Sequence, residues 1–452
     1  MTGEKEKVVL MGKKTKIKLS QCMIVKNEEE NIRRALSWAK HIAFEQIVVD
    51  TGSTDRTVEI AEQMGAKVYQ FQWCDDFSAA KNHAIDQASG DWIAFLDADE
   101  YFTEKDTEKL ANILDQAEKR KGMEMPHFIR CAWIQMGDDG KPFSVSVQDR
   151  IFRNTPEIRY HGKIHEQIGL PGGEPMVCQD EQKTLSIFHT GYASSVMNAR
   201  GKWQRNIELL KQEIRENPKN YSAWSYLGDA YAGLGENQEA KNAYLKAMEG
   251  KPDVTVSRWG YMNAGKSLLK LFMNHPFLAE SEREAEEVAE KTGYPATDNP
   301  DVYFFLGLYY LKRNDLKRAY QEIKEALKRL EAYKGDDVIY LNGNLEKTYV
   351  WMAGFCQQLK LPDEELFYGI CALRMNRRLE KVACEVLRLM KKEEQQGKGT
   401  EDSWEVLERV YDLQDIRDLL FLFKCARITG YSALEGRILK YIPEDVRKKL
   451  GG

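Results

Sequence analysis

No C-x-x-C pair occurs among the eight cysteines of this 452-residue sequence, which argues against both a disulfide framework and a zinc knuckle. Reduced, mostly buried thiols are expected. No apolar run approaches the ~20 residues of a membrane span. The opening stretch MTGEKEKVVLMGKKTKIKLS carries charges where a signal peptide needs an apolar core. A soluble, cytoplasmic chain without a transmembrane segment is therefore expected. Basic charge is not in surplus either: 66 Lys and Arg face 71 Asp and Glu, a net charge of −5, so nothing global points to nucleic acid. What is present is ample core material, 42% hydrophobic residues over a length that suggests two domains.

Residues 1–16 read as an N-terminal extension, and from there to about residue 200 short apolar runs alternate with amphipathic stretches, as in open α/β sheets. IKLSQCMIV reads as a strand, and ENIRRALSWA places Ile32, Ala35, Leu36 and Ala39 on one helical face. EQIVVD is a second strand, after which Ser53 or Thr54 is expected to cap the helix RTVEIAEQM. A helix from Phe77 to Ala88 precedes DWIAFLD, a strand apolar enough to be buried on both faces. A charged helix from Thr103 to Lys119 leads into hairpin-like strands with GDDG at 137–140 as a turn.

From residue 201 to 452 the strand pattern is lost. W-x-x-L-G-x-x-Y at 224–231, followed by Ala240, Tyr244, Ala247 and Pro252, matches the tetratricopeptide pattern. Small Gly228 and Ala240 would let two antiparallel helices approach, while Trp224, Leu227, Tyr231 and Tyr244 fill the layer between them. Tyr303, Leu306, Gly307, Tyr310, Ala319 and Ala326 repeat the arrangement, with degenerate copies near Trp259 and Val350. This half is expected to be an all-α helical repeat domain, with a role either in stabilisation and homodimer formation or in holding a partner.

WIAFLDADEYF packs Asp97, Asp99 and Glu100 into the end of an apolar run. Carboxylates are hard oxygen ligands suited to Mg²⁺ or Mn²⁺, and ligands of open α/β sheets sit beyond the carboxyl ends of strands. A solvated turn before the next helix is the plainer reading of D-x-D alone. Asp50 in VVDTGSTD and Asn27-Glu28 in IVKNEEEN also follow strands, and three such ends describe one cleft edge. Lys81, on the helix before the acidic strand, is either a solvated charge or a phosphate contact.

Asn27-Glu28, the D-x-G-S-x-D at 50–55 and the block ending in FLDADE together resemble the nucleotide-sugar domain of family 2 glycosyltransferases, the GT-A fold, over residues 17–192. RIFRN, YHGKIHE and IFHTGY are similar to a subgroup that also carries C-terminal tetratricopeptide-like helices and includes sublancin-type peptide S-glycosyltransferases. The resemblance implies a GT-A (Rossmann-like) α/β domain over 17–200 and a repeat domain over 201–452. It implies a metal-dependent, inverting hexosyltransferase using a nucleotide-sugar, UDP-hexose by family habit. Donor contacts fall on Val25, Asn27, Glu28, Asp50, Ser53, Lys81, Asp97, Ala98 and Arg153. Asp97, Asp99 and His189, preferred to His165, would hold Mn²⁺ or Mg²⁺, the imidazole favouring manganese. Glu166, about two dozen residues before that histidine, would be the base, with Asp149 as runner-up. Lys26 and Cys22 depart from the family's usual aromatic and hydroxyl residues, which leaves the base-stacking platform open.

A peptide or protein Cys or Ser is the expected acceptor, for which a long groove should lead into the cleft. A glycan or lipid-linked acceptor would instead call for a short pocket lined by Trp or Tyr. The third alternative is a catalytically inactive nucleotide-binding scaffold.

Overall fold

The computed structural model describes residues 17–450 apart from 121, 123–124, 138–139, 191–195, 251–256, 336–338 and 398–402. The N-terminal extension, the centre of the GDDG turn and Pro252 thus lie outside the described residues, as does the side chain of Trp259.

The first half alternates strands and helices: β1 (Leu19–Val25), α1 (Ile32–Ser37), β2 (Ala43–Asp50), α2 (Thr57–Gln63), the further strand β3 (Lys67–Gln70) that no expectation covered, α3 (Phe77–Asp86) and β4 (Trp92–Phe95). There follow β5 (Glu100–Phe102), α4 (Glu104–Lys119), β6 (Phe128–Met136), β7 (Pro142–Arg153), β8 (Arg159–His161), β9 (Gln167–Gly169), β10 (Cys178–Asp180) and β11 (Ser186–His189). The main sheet runs β3-β2-β1-β4-β7-β6-β11-β5, with β10 beside β6. Its first four strands are parallel, and β7 joins β4 antiparallel. β4 is buried throughout, so alternation sends Trp92, Ala94 and Leu96 to a core that includes Leu110, Leu114 and Ala117 of α4. Ile93 and Phe95 go to the opposite core with Ala84 and Ile85 of α3. The chain then crosses from the middle of the sheet to its rim, since β5 pairs only with β11 among the described strands. Asp97 to Asp99 make that crossing.

One expectation is overturned at α2. Neither Ser53 nor Thr54 caps it: Ser53 Oγ accepts from the Asn27 amide at 2.9 Å, and Asp55 Oδ1 accepts from Thr57 N at 3.0 Å. The Ser53 hydroxyl is engaged between loops and is therefore not available to its own helix.

Beyond β11 all described elements are helical. α5 (Val196–Glu216), α6 (Tyr221–Leu234) and α7 (Asn237–Ala247) belong with the sheet to one compact unit, residues 1–264. The change from sheet to helix thus falls near residue 200, whereas the compact units part at 264/265. A methyl group on Gly228 would lie 2.4 Å from the Tyr244 ring, which shows how closely α6 and α7 approach. The second unit contains most of α8 (Ser257–Asn274), then α9 (Glu282–Lys291), α10 (Pro300–Lys312) and α11 (Leu316–Ala332). There α10 is buried from Pro300 to Tyr310, and Gly307 lets it meet Ile323 of α11. α12 (Leu345–Leu359) and α13 (Pro362–Met375) form the pair expected near Val350, and further helices continue to Leu450. An α/β domain followed by tetratricopeptide-like helices is therefore the architecture. Among the described residues, no helix is long and apolar enough to cross a membrane. Of the eight thiols, Cys22, Cys131, Cys356, Cys384 and Cys425 are buried.

Candidate functional site

The carboxyl ends of β1, β2 and β4 meet, and the loops beyond the first two are laced together. Asn27, in the left-handed region at φ 57°, donates its amide to Ser53 and accepts from Thr54 N through Oδ1 at 2.7 Å. Asp50 is buried and accepts from Gly52 N and Ser53 N at 3.2 and 3.0 Å, so its carboxylate shapes the turn. Val25 is buried and offers its carbonyl to the Thr51 amide and hydroxyl, and Ala98 packs in the same apolar cluster as Val25. Glu28 donates its amide to Thr57 Oγ1 at 2.7 Å and accepts from Asn31 at 2.8 Å. Its carboxyl is pushed up by burial and by the charges of Asp99 and Asp97, which places three acids within electrostatic reach of one another.

Asp97 is the hub. One oxygen lies 3.3 Å from Lys81 Nζ and the other 2.7 Å from Arg150 Nη2. Lys81 is 2% exposed and also stands 2.7 Å from Glu166 Oε1, so its ammonium is engaged by two carboxylates instead of facing solvent or a phosphate. Arg150 Nη2 continues to Glu100 Oε1 at 3.0 Å, which accepts as well from Trp133 Nε1 at 2.8 Å. The other Glu100 oxygen accepts from the Asp97 amide at 2.9 Å. Burial works against the charge on Asp97, but Arg150 and Lys81 hold it well below the usual carboxylate range. Burial pushes Glu100 up, and the attraction of Arg150 only partly reverses this. Burial also opposes the charge on Lys81, yet Asp97 and Glu166 raise it above the ordinary lysine value.

Asp99 takes a separate partner: its Oδ2 stands 3.1 Å from His189 Nε2. Register accounts for the meeting, because His189 of β11 lies opposite Glu100 of β5. The Trp133 ring covers the imidazole at 4.7 Å between centroids. An oxygen and a nitrogen at this separation suit adjacent positions on an octahedral cation with bonds of about 2.1 Å, which lie ~3 Å apart. The donor set of Asp99 and His189 is thus compatible with a divalent ion, at a separation that a direct hydrogen bond between the two also gives. Asp97 faces Lys81 and Arg150 with one oxygen each, and among the described residues no group of three or more acid, His or Cys side chains converges as a cage.

The remaining residues are distributed as follows. Glu166 reaches the hub through Lys81. Asp149 pairs instead with Arg130 at 2.9 and 3.1 Å. Arg153 pairs with Glu118 of α4 at 2.7 Å, over the Trp92 ring. It is opposite Trp92, the first residue of β4, and so lies at the other end of that strand from the acids. The arginine that does arrive, Arg150, comes from a bulge: Ile151 faces Ile129 and Gln148 faces Cys131, so Asp149 and Arg150 together oppose Arg130. His165 lies flat against Tyr226 of α6, with centroids 3.9 Å apart. A cavity of about 520 Å³ opens among α5, α6 and α7, lined by Trp224, Leu227 and Tyr231 and rimmed by Lys211, Arg215 and Lys246.

Residues 20–120 match the family described as glycosyl transferase family 2. A TPR repeat-containing protein of Synechococcus elongatus is 33% identical over 53% of this chain and 58% of its own length. The SPbeta prophage-derived glycosyltransferase SunS of Bacillus subtilis is 30% identical over 50% of this chain and 51% of its own. The chain thus spans little more than half the length of these curated relatives. Among solved structures, S. aureus TarS 1-349 in complex with UDP-GlcNAc aligns with 69% of this chain and 92% of that one, at 14% identity and a TM-score of 0.32.

Proposed function

We propose that this chain, whose residues 20–120 form a glycosyl transferase family 2 domain, is a metal-assisted inverting hexosyltransferase. It moves a sugar from a nucleoside diphosphate, UDP by family habit, to a peptide or protein Cys or Ser. The observation that carries this reading is the pairing of Asp99 with His189 beside an Asp97 hub that Lys81 joins to Glu166.

The acceptor's sulfur or oxygen attacks the anomeric carbon from the face opposite the diphosphate. The carbon–oxygen bond to the diphosphate breaks, and its electron pair leaves on that group. Glu166 takes the acceptor's proton, held in position by Lys81. Asn27, Glu28 and Ser53 line the strand ends where the nucleotide would lie. A divalent cation bound by Asp99 and His189 would supply positive charge to the departing diphosphate, and the imidazole favours manganese. The resemblance to sublancin-type S-glycosyltransferases supports the peptide acceptor. A second reading, a glycan acceptor, draws on the aromatic-lined cavity at Trp224 and Tyr231. Transfer assays with peptides and with oligosaccharides separate the two.

The reaction itself is tested without an acceptor, by hydrolysis of UDP-glucose and UDP-GlcNAc with and without Mn²⁺. Wild type should turn over in a metal-dependent manner, and Asp99→Ala should lose on the order of 100-fold. Equal rates in both proteins, neither above the uncatalysed background, would leave a non-catalytic nucleotide-binding scaffold.

A further inference from the structure

The segment that delivers Glu166 is pinned from two sides. Gly162 O accepts from Ser78 Oγ at 2.5 Å, and Lys163 O accepts from Phe77 N at 2.9 Å, both donors being in the first turn of α3. From the other side Lys163 Nζ pairs with Glu216 at the end of α5 at 2.5 Å. Ile164 is buried in a core with Ile207, Leu210 and Ile214 of α5 and with Ala223 and Leu227 of α6. His165 then adopts φ 52°, a left-handed conformation that non-glycine residues visit rarely, so its surroundings must hold it there. The Tyr226 ring is what it rests on, 3.9 Å away and tilted by only 15°. Glu166 follows, so the peptide plane fixed at His165 decides where its carboxylate is aimed.

We infer that Tyr226, on α6 of the repeat helices, is a positioning residue for glycosyl transfer: by supporting His165 it fixes the turn from which Glu166 meets Lys81 and the acceptor. The inference rests on Glu166 being the group that receives the acceptor's proton. The helical layer is thereby a working part of the reaction centre. A residue that only glued helices to the sheet would affect folding and every kinetic constant alike. A positioning residue affects the chemical step selectively.

The full-length chain carries the test, with Tyr226→Phe, Tyr226→Leu and His165→Ala. Amide hydrogen exchange over 161–166, calorimetric affinity for UDP with Mn²⁺, and kcat and KM for UDP-glucose hydrolysis are measured on each. Tyr226→Phe should keep the stack, with slow exchange and kcat within about twofold of wild type, whereas Tyr226→Leu should exchange faster and lose on the order of 100-fold in kcat, with KM and UDP affinity within about twofold. His165→Ala removes the stack from its other partner and should match Tyr226→Leu, including where the latter folds poorly. Unchanged exchange in both ring-deleting variants, or full kcat in an exchanging one, overturns the inference. A wild type with no turnover of any sugar nucleotide would instead overturn the transferase reading itself.

Discussion

Lys81 and Glu166 stand 2.7 Å apart, ammonium to carboxylate, with the lysine 2% exposed. A buried ammonium persists only when it is paired and hydrogen-bonded, and here the pairing links a strand-end acid to a loop acid 85 positions away from the lysine.

Lys81→Met would leave Asp97 and Glu166 facing each other without their shared cation. Breaking a buried pair from one side costs about 3–5 kcal/mol. The urea midpoint should fall accordingly, and adding Glu166→Gln should restore part of the loss. A strictly additive double mutant would show that the two groups do not interact in solution.

Glu166→Gln and Asp149→Asn should diverge. The first removes the proposed base and is expected to lower kcat by about 10²–10⁴-fold. The second removes a partly exposed partner of Arg130, an interaction worth about 1 kcal/mol or less, and should keep near-normal turnover. The reverse ranking would move the base to Asp149.

Glu45 supplies a pH dependence. Its buried carboxylate accepts from Ser20 Oγ at 2.7 Å, Lys67 Nζ at 2.7 Å, and Ser89 N and Oγ at 2.6 and 2.9 Å. Burial alone would raise it, but these donors, led by Lys67, bring it down to about 2. A depressed carboxylate stabilises the fold above its unfolded value, and that stabilisation is lost as pH falls from about 4.5 to about 2. The full effect is on the order of 3 kcal/mol. Denaturant melts across this range should show a steeper acid loss for wild type than for Glu45→Gln, which should already be weaker at pH 7.

Gly228→Ala tests the closeness of the repeat helices. The added methyl meets the Tyr244 ring, whose hydroxyl is tied to Asp229 Oδ1 at 2.8 Å and so cannot swing away freely. Overpacking of this kind costs about 1–3 kcal/mol. A thermal midpoint equal to wild type would mean that α6 and α7 sit farther apart than described.

The sequence announced most of the order of strands and helices because apolar runs and faces of period 3.6 survive in the first 190 residues, but it did not show β3 or β5, which are only four and three residues long. The burial of Lys81 answers neither reading, solvated charge or phosphate contact: Ala80, Lys81, Ala84 and Ile85 share the inward face of α3, and that face outweighs the usual expectation of a solvated lysine. Arg150 was not legible, since an extra residue in β7 has no marker in a run such as VQDRIFR. Arg153 was the natural choice from the motif, but register sets it at the far end of β4. Nor does local pattern reveal that Ser53 serves Asn27, because the partner lies 26 residues away in another loop.

The crossing from β4 to β5 has a mechanical side. Asp97 is anchored to the parallel quartet, while Asp99 and His189 ride on the rim strands. An ion seated between them and a diphosphate would act as a rivet across the two parts of the sheet. Nucleotide occupancy should therefore stiffen β5 and β11 before chemistry begins.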